Sequence, residues 1–229
     1  MANNYYDATG VILLDRVTPV ITALFGAFNL DGAYPGKGQA YVARMSETID
    51  PEWEDIRVNL VELANELGLT FALGVEPTIA TCLDILAKHY CAEHSEDLEH
   101  LIERHSFEDL VDFESLFLIA THLDDGHGLS AIRVEGCWHC SKPRLFEFGG
   151  DGMFISREVT VYSNSTRALG LGQDLHNALQ ADEPDLAAAR LAREVANLLA
   201  GIGDDATRAL MQQKLAERLV QSSTFHRSI

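Results

Sequence analysis

Cys137-Trp138-His139-Cys140 is the stretch of this sequence whose residue types and spacing carry recognisable chemistry. Two thiolates three positions apart on a turn can share one zinc ion, and a histidine between them can alter their acidity. A structural zinc site needs four ligands, so Cys137, Cys140 and His139 would make only part of one. The obvious further donors are His122 and His127. In a hairpin that pairs 116–123 with 130–137, His122 falls opposite Ser130. That is on the order of 23 Å from Cys137 at about 3.3 Å per residue. The missing ligands would have to come from elsewhere in the fold or from a second chain. The same pair could form a disulfide, yet the strand-then-helix setting of a thioredoxin-type redox motif is missing. Three readings stay open: cysteines without chemistry, a zinc site, and a redox pair. Zinc is the one cofactor the sequence suggests.

The second group of chemistry-bearing side chains is a crowd of carboxylates. The 229 residues hold 35 Asp and Glu against 17 Lys and Arg, a formal net charge of −18. Residues 1–112 carry 6 basic and 20 acidic side chains, and 113–229 carry 11 and 15, so the acidity belongs mainly to the first half. It is densest at Glu93, Glu96, Asp97, Glu99, Glu103, Glu108, Asp109 and Asp112, with Arg104 the only basic residue among them. Such a surface repels phosphates, which argues against direct binding to nucleic acid. It favours a basic protein partner. Carboxylates on rigid helices can occupy the phosphate subsites of a nucleic-acid-binding protein, making the chain a nucleic-acid mimic, with gains from steering and counterion release. The plainer reading is a solvated face that keeps the chain soluble.

Other candidates carry less. His89, His94, His100 and His105 are spaced by five and six, whereas ligand pairs on one helical face want three or four. Pro35-Gly36-Lys37-Gly38 lacks the full phosphate-loop pattern, and Asp124-Asp125-Gly126 lacks the alternating acids of a calcium loop. No Gly-x-Ser-x-Gly elbow is present. Residues 164–229 hold 7 basic and 8 acidic side chains, too even for a helix-turn-helix reader of DNA.

The elements that must position these residues read as follows. Val11–Asp15 is a short strand, and Thr18-Pro19 opens a helix to about Phe28. Asp31–Gly38 reads as a loop and Ala40–Met45 as a strand. Asp50 caps a helix with Pro51 in its first position, and Gly68 ends it. Helices follow from Pro77 to Tyr90 and after a Ser95 cap, and Ser106 with Asp109 has capping-box spacing before Leu110. Leu116–Leu123, Ser130–Cys137, Arg144–Phe148 and Glu158–Ser163 read as an antiparallel meander, although the first could equally be helical. Leu169–Ala181, Pro184–Ala200 and a helix capped by Asp204 complete the chain. In the last two, Leu186, Ala189, Val195, Leu198 and Leu199 make one seam, and Leu210, Met211, Leu215 and Leu219 another. The C-terminal hairpin would pack on the sheet or pair two subunits as a homodimer.

The expected class is α+β: a central antiparallel β-meander (113–163) flanked by an acidic N-terminal part (1–112) and a helical C-terminal part (164–229), together one domain over 1–229. At 47% hydrophobic and 23% charged, disorder is excluded. Residues 1–15 lack the pattern of a signal peptide, no window approaches a membrane span, and four cysteines do not make a secreted framework, so a cytoplasmic location is expected.

Asn3-Asn4-Tyr5-Tyr6-Asp7, the Val17–Phe28 run and the stretch EGCWHCSKPRLFEFGG over Glu135–Gly150 resemble parts of uncharacterised accessory proteins of bacterial integrative and conjugative elements. The resemblance implies a bacterial cytosol and a mobile-element setting, and brings no activity with it. The expected function is therefore that of a non-enzymatic interaction or regulatory protein whose acidic surface binds a basic, nucleic-acid-binding partner. The competing class is a zinc-binding or thiol-dependent module centred on Cys137, His139 and Cys140.

Overall fold

The structure, a computed structural model, describes residues 3–72, 74–145 and 147–225. The chain divides into two compact units, Met1–Ile155 and Ser156–Ile229.

The first unit opens with β1 (Asn4–Leu13), α1 (Pro19–Phe25), a short 3-10 turn (Gly26–Phe28), β2 (Asp31–Pro35) and β3 (Gln39–Met45). Four helices follow, α2 (Trp53–Glu66), α3 (Ile79–His89), α4 (Glu96–Arg104) and α5 (Phe113–His122), and then β4 (Ala131–Cys140) and β5 (Gly149–Ser156). Its strands run in the order β2-β3-β1-β4-β5. The second unit holds β6 (Thr160–Asn164), α6 (Ser165–Gln180), α7 (Pro184–Ala200) and α8 (Asp205–Phe225). Antiparallel strands with helices before and after them make the α+β class that the sequence predicts.

β1 is much longer than the expected Val11–Asp15. It lies inside the sheet, antiparallel to β3 from Asp7↔Met45 to Leu13↔Gln39 and to β4 from Asn4↔Cys140 to Leu13↔Ala131. Asn4, Asp7 and Gly10 disfavour a strand locally, but pairing with β4 at Asn4 and with both β3 and β4 at Asp7 and Gly10 satisfies backbone groups and overrides that preference. The expected loop at Asp31–Gly38 is corrected too. β2 is an exposed edge strand, where Pro35 leaves no ladder donor unmatched.

Residues 116–122 lie in α5 and Leu123 caps its end, so this stretch is a helix rather than a strand. Asp112 caps the helix, its Oδ1 accepting from Ser115 N at 2.7 Å. Phe113, Leu116, Phe117, Ile119 and Ala120 are all buried, so α5 is apolar nearly all round and its sequence has no usable period. The expected strand Arg144–Phe148 is not one: Phe146 lies outside the described residues, and the others stand before β5, which begins at Gly149.

The start of α2 also differs. Its N-cap is Glu52, whose backbone N–H donates to Asp55 Oδ2 at 2.9 Å. Asp50 instead pairs with Arg44 at 3.3 Å, and the Pro51 carbonyl accepts from Val111 N at 3.2 Å. The Ser106–Asp109 spacing caps nothing, because Asp109 turns into the left-handed region (φ 60°). The Ser95 cap of α4 and the limits of α7 are as the sequence predicts. Trp53, Phe25, Phe28, Ile12 and Leu60 are completely or nearly completely buried at the centre of the first unit's core.

Candidate functional site

Cys137, Trp138, His139 and Cys140 lie in β4, not on a turn. Successive side chains of a strand alternate faces, so residues three apart point to opposite sides. Cys137 is accordingly exposed and Cys140 is buried. His139 shares the face of Cys137 and stacks on Tyr5 across the ladder, with ring centroids 5.1 Å apart. The strand therefore does not bring Cys137 and Cys140 together. Nor is His122 opposite Ser130, since it ends α5. Among the described residues no group of three or more His, Cys, Asp or Glu is arranged to hold a metal ion.

All four cysteines are free thiols. Burial pushes the Cys82 thiol up to about 11, so at neutral pH it stays protonated and unreactive. A thiol reagent at pH 8 is expected to modify Cys91 and Cys137 quickly in the native protein and to reach Cys82 and Cys140 only after denaturation. Mass spectrometry after a short exposure checks this, and four fast modifications would contradict it.

The acidic run is split by the fold. Ser95 caps α4 by accepting from Leu98 N at 3.2 Å, which places Glu96, Asp97 and Glu99 in the first turn at the positive end of the helix dipole. Glu93 and Glu103 are exposed beside them. Glu108 and Asp109 are exposed on a separate turn, where the Asp109 carbonyl accepts from Trp53 N at 3.0 Å. Asp112 is half-buried and committed to structure: besides capping α5, its Oδ2 lies 3.2 Å from His105 Nε2. The turn of Glu108 and Asp109 borders Glu52, Glu54 and Glu76, carboxylates distant in sequence that the run does not include. Only the fold could reveal that grouping. Arg57 lies among them, bound to Glu54 at 2.5 and 2.7 Å and to Glu76 at 3.1 Å. The hydrogen bond from Arg57 holds the Glu54 carboxyl below its ordinary range.

In the second unit, Arg167 pairs with Glu194 at 2.6 Å and Arg190 with Asp174 at 3.3 Å, fixing α6 to α7. The link to α8 is short. Ile202 is buried and bridges Val159, and Asp204 caps α8 by accepting from Thr207 N at 2.6 Å. The two apolar seams do not close within this unit. Leu198 on α7 and Leu210 on α8 are 50% and 55% exposed, and Leu186, Leu191 and Met211 are exposed as well. No described side chain of α8 is fully buried.

These features define an α+β protein that ends in helices whose apolar side chains are left in solvent, the surface property of a protein-interaction module. Residues 187–222 match the family model of the DnaB-helicase binding domain of primase. The matched stretch covers nearly all of α7, the link, and most of α8. No curated protein and no solved structure matches the chain. Among the described residues no helix is long and apolar enough to cross a membrane.

Proposed function

We propose that this chain acts by docking on other proteins, and that its C-terminal helices engage a replicative helicase of the DnaB type. The supporting observation is that the stretch similar to the helicase-binding domain of primase coincides with α7 and α8, where the apolar side chains are left uncovered. A helix with this much exposed leucine and methionine gains most by laying that face in a partner's groove. The near-neutral charge of residues 164–229 suits an apolar contact. The resemblance to accessory proteins of mobile elements agrees with such a role, because an element that must be copied gains from a hold on the replicative helicase.

The test is direct binding of the full chain to a purified bacterial DnaB-type hexamer. The expected result is saturable binding that Leu198→Glu and Leu210→Glu each weaken by about 30-fold, the loss of one central apolar anchor of ~2 kcal/mol. Leu169→Glu, at an exposed α6 position outside the matched stretch, is expected to leave binding unchanged. Absence of binding, or equal loss in all three variants, would reject the helicase assignment.

The acidic surface supports a second reading, docking on a basic, nucleic-acid-binding protein. Its basis is the solvent-facing set Glu93, Glu96, Asp97, Glu99 and Glu103 on and before α4. The zinc or thiol module stays a separate proposal. It has the weaker support, because β4 turns Cys137 and Cys140 to opposite faces.

A further inference from the structure

The first unit contains a cleft that neither the helicase reading nor the acidic α4 face uses. It is an open space of about 900 Å³ between the first turn of α2, the segment leading into α3 and the turn at 105–109, within the usual size of ligand sites, roughly 300–1,000 Å³. Its floor is aromatic. Trp53, His105 and Phe107 meet pairwise with centroids 4.5 to 5.0 Å apart. Its rim carries the carboxylates of Glu52, Glu54, Glu76, Glu108 and Asp109. Among the described residues Arg57 is the one full cation in the lining, and Glu54, Glu76 and the Pro77 carbonyl already occupy its guanidinium. The cleft therefore keeps a strong negative surplus beside the half-buried rings of His105 and Phe107. Trp53, only 1% exposed, packs against these rings from within, and its indole Nε1 has no hydrogen-bond partner among the described residues.

We propose that this cleft binds an arginine side chain presented by an extended segment of a protein partner. A guanidinium is planar and weakly hydrated, so it can lie against aromatic rings while its fork of N–H donors reaches carboxylates at the edge. A lysine ammonium is a compact, strongly hydrated charge and gains less from such a floor. A metal ion wants several ligands converging on one point, and the lining carboxylates are not so arranged. Trp53 sits in the site through the Glu52 cap and the Trp53 N to Asp109 carbonyl bond, which tie the cleft's two walls together.

The experiment uses the ¹⁵N-labelled full chain, whose two indole N–H signals are assigned with a Trp138→Phe variant. Acetyl-Gly-Arg-Gly-amide is expected to shift the Trp53 indole signal saturably and to leave that of Trp138 in place. The lysine peptide is expected to bind at least threefold more weakly, and the citrulline peptide, planar but neutral, not measurably. Glu76→Gln with Glu108→Gln, both on exposed carboxylates, should weaken arginine binding at least tenfold with an unchanged melting temperature. Titration by citrulline or lysine equal to that by arginine, affinity unchanged in the double variant, or no saturable shift of the Trp53 signal would overturn the proposal. The helicase experiment concerns other residues, so either result can fail alone.

Discussion

Replacing His127 by alanine is expected to destabilise the first unit by about 3 kcal/mol, lowering its melting temperature by roughly 10 °C. His127 is 1% exposed, and both of its ring nitrogens are engaged. Nδ1 accepts from Leu129 N at 2.8 Å, which places the ring proton on Nε2, where it donates to the Ala120 carbonyl at 3.0 Å. One ring thus joins the last turn of α5 to the segment that leads into β4. Alanine leaves a buried donor and a buried acceptor unpaired and opens a void the size of the imidazole. His127→Asn should lose about half as much, because its side-chain oxygen can still accept from Leu129 N in an Asx-type turn. Denaturant unfolding followed by circular dichroism measures both. Equal stability of the alanine variant and the parent would show that this ring does not brace the unit.

The sequence offers 124–128 as a stretch that fails the calcium-loop pattern and holds a candidate zinc donor, His127. The fold makes it a clamp. Asp125 accepts from Thr18 Oγ1 at 2.6 Å and from Val20 N at 3.0 Å, while the His127 carbonyl accepts from Asp15 N at 2.8 Å. These partners are about a hundred residues away, beyond any local pattern. Elements whose ends carry their own signals were legible: Ser95 before α4, Thr18-Pro19 before α1, and Pro184 and Gly201 at either end of α7. Elements defined by partners were not. β1 is a strand because β3 and β4 flank it, and α5 is hidden by an all-apolar sequence that a helix and a buried strand share.

The candidate sites follow the same division. The exposed carboxylates of α4 could be read directly from the run of acids between Ser95 and Arg104. The acidic cleft could not, because Glu52, Glu54 and Glu76 reach Glu108 and Asp109 only through the fold. Cys137 and Cys140 show the reverse case. Their spacing suits a metal turn, whereas the backbone there is extended and sends them to opposite faces. The α7 and α8 seams are legible as apolar stripes, but periodicity cannot say whether a stripe is covered by its own chain or left for another.

A single substitution, glycine to alanine, is expected to act with opposite signs in the two units. Gly10 faces Val42 on β3 and Val134 on β4 in the middle of β1. A Cβ there would stand 2.3 Å from the Arg133 carbonyl oxygen and 2.8 Å from Val134 Cγ2. Neither strand can yield easily, because β1 is paired along both edges and any shift breaks ladder bonds on one side or the other. Gly10→Ala should therefore cost about 3 kcal/mol, the upper part of the range for overpacking a closed site. Gly172 lies within α6, is exposed, and a Cβ built on it meets nothing within 4 Å. Gly172→Ala removes backbone freedom from the unfolded chain and improves helix propensity, for a gain of about 0.8 kcal/mol in the second unit. Denaturation of the two variants beside the parent reads both effects. A tolerated Gly10→Ala would mean that β1 is not held between β3 and β4 in solution, and a destabilising Gly172→Ala would mean that the surface of α6 at Gly172 is covered.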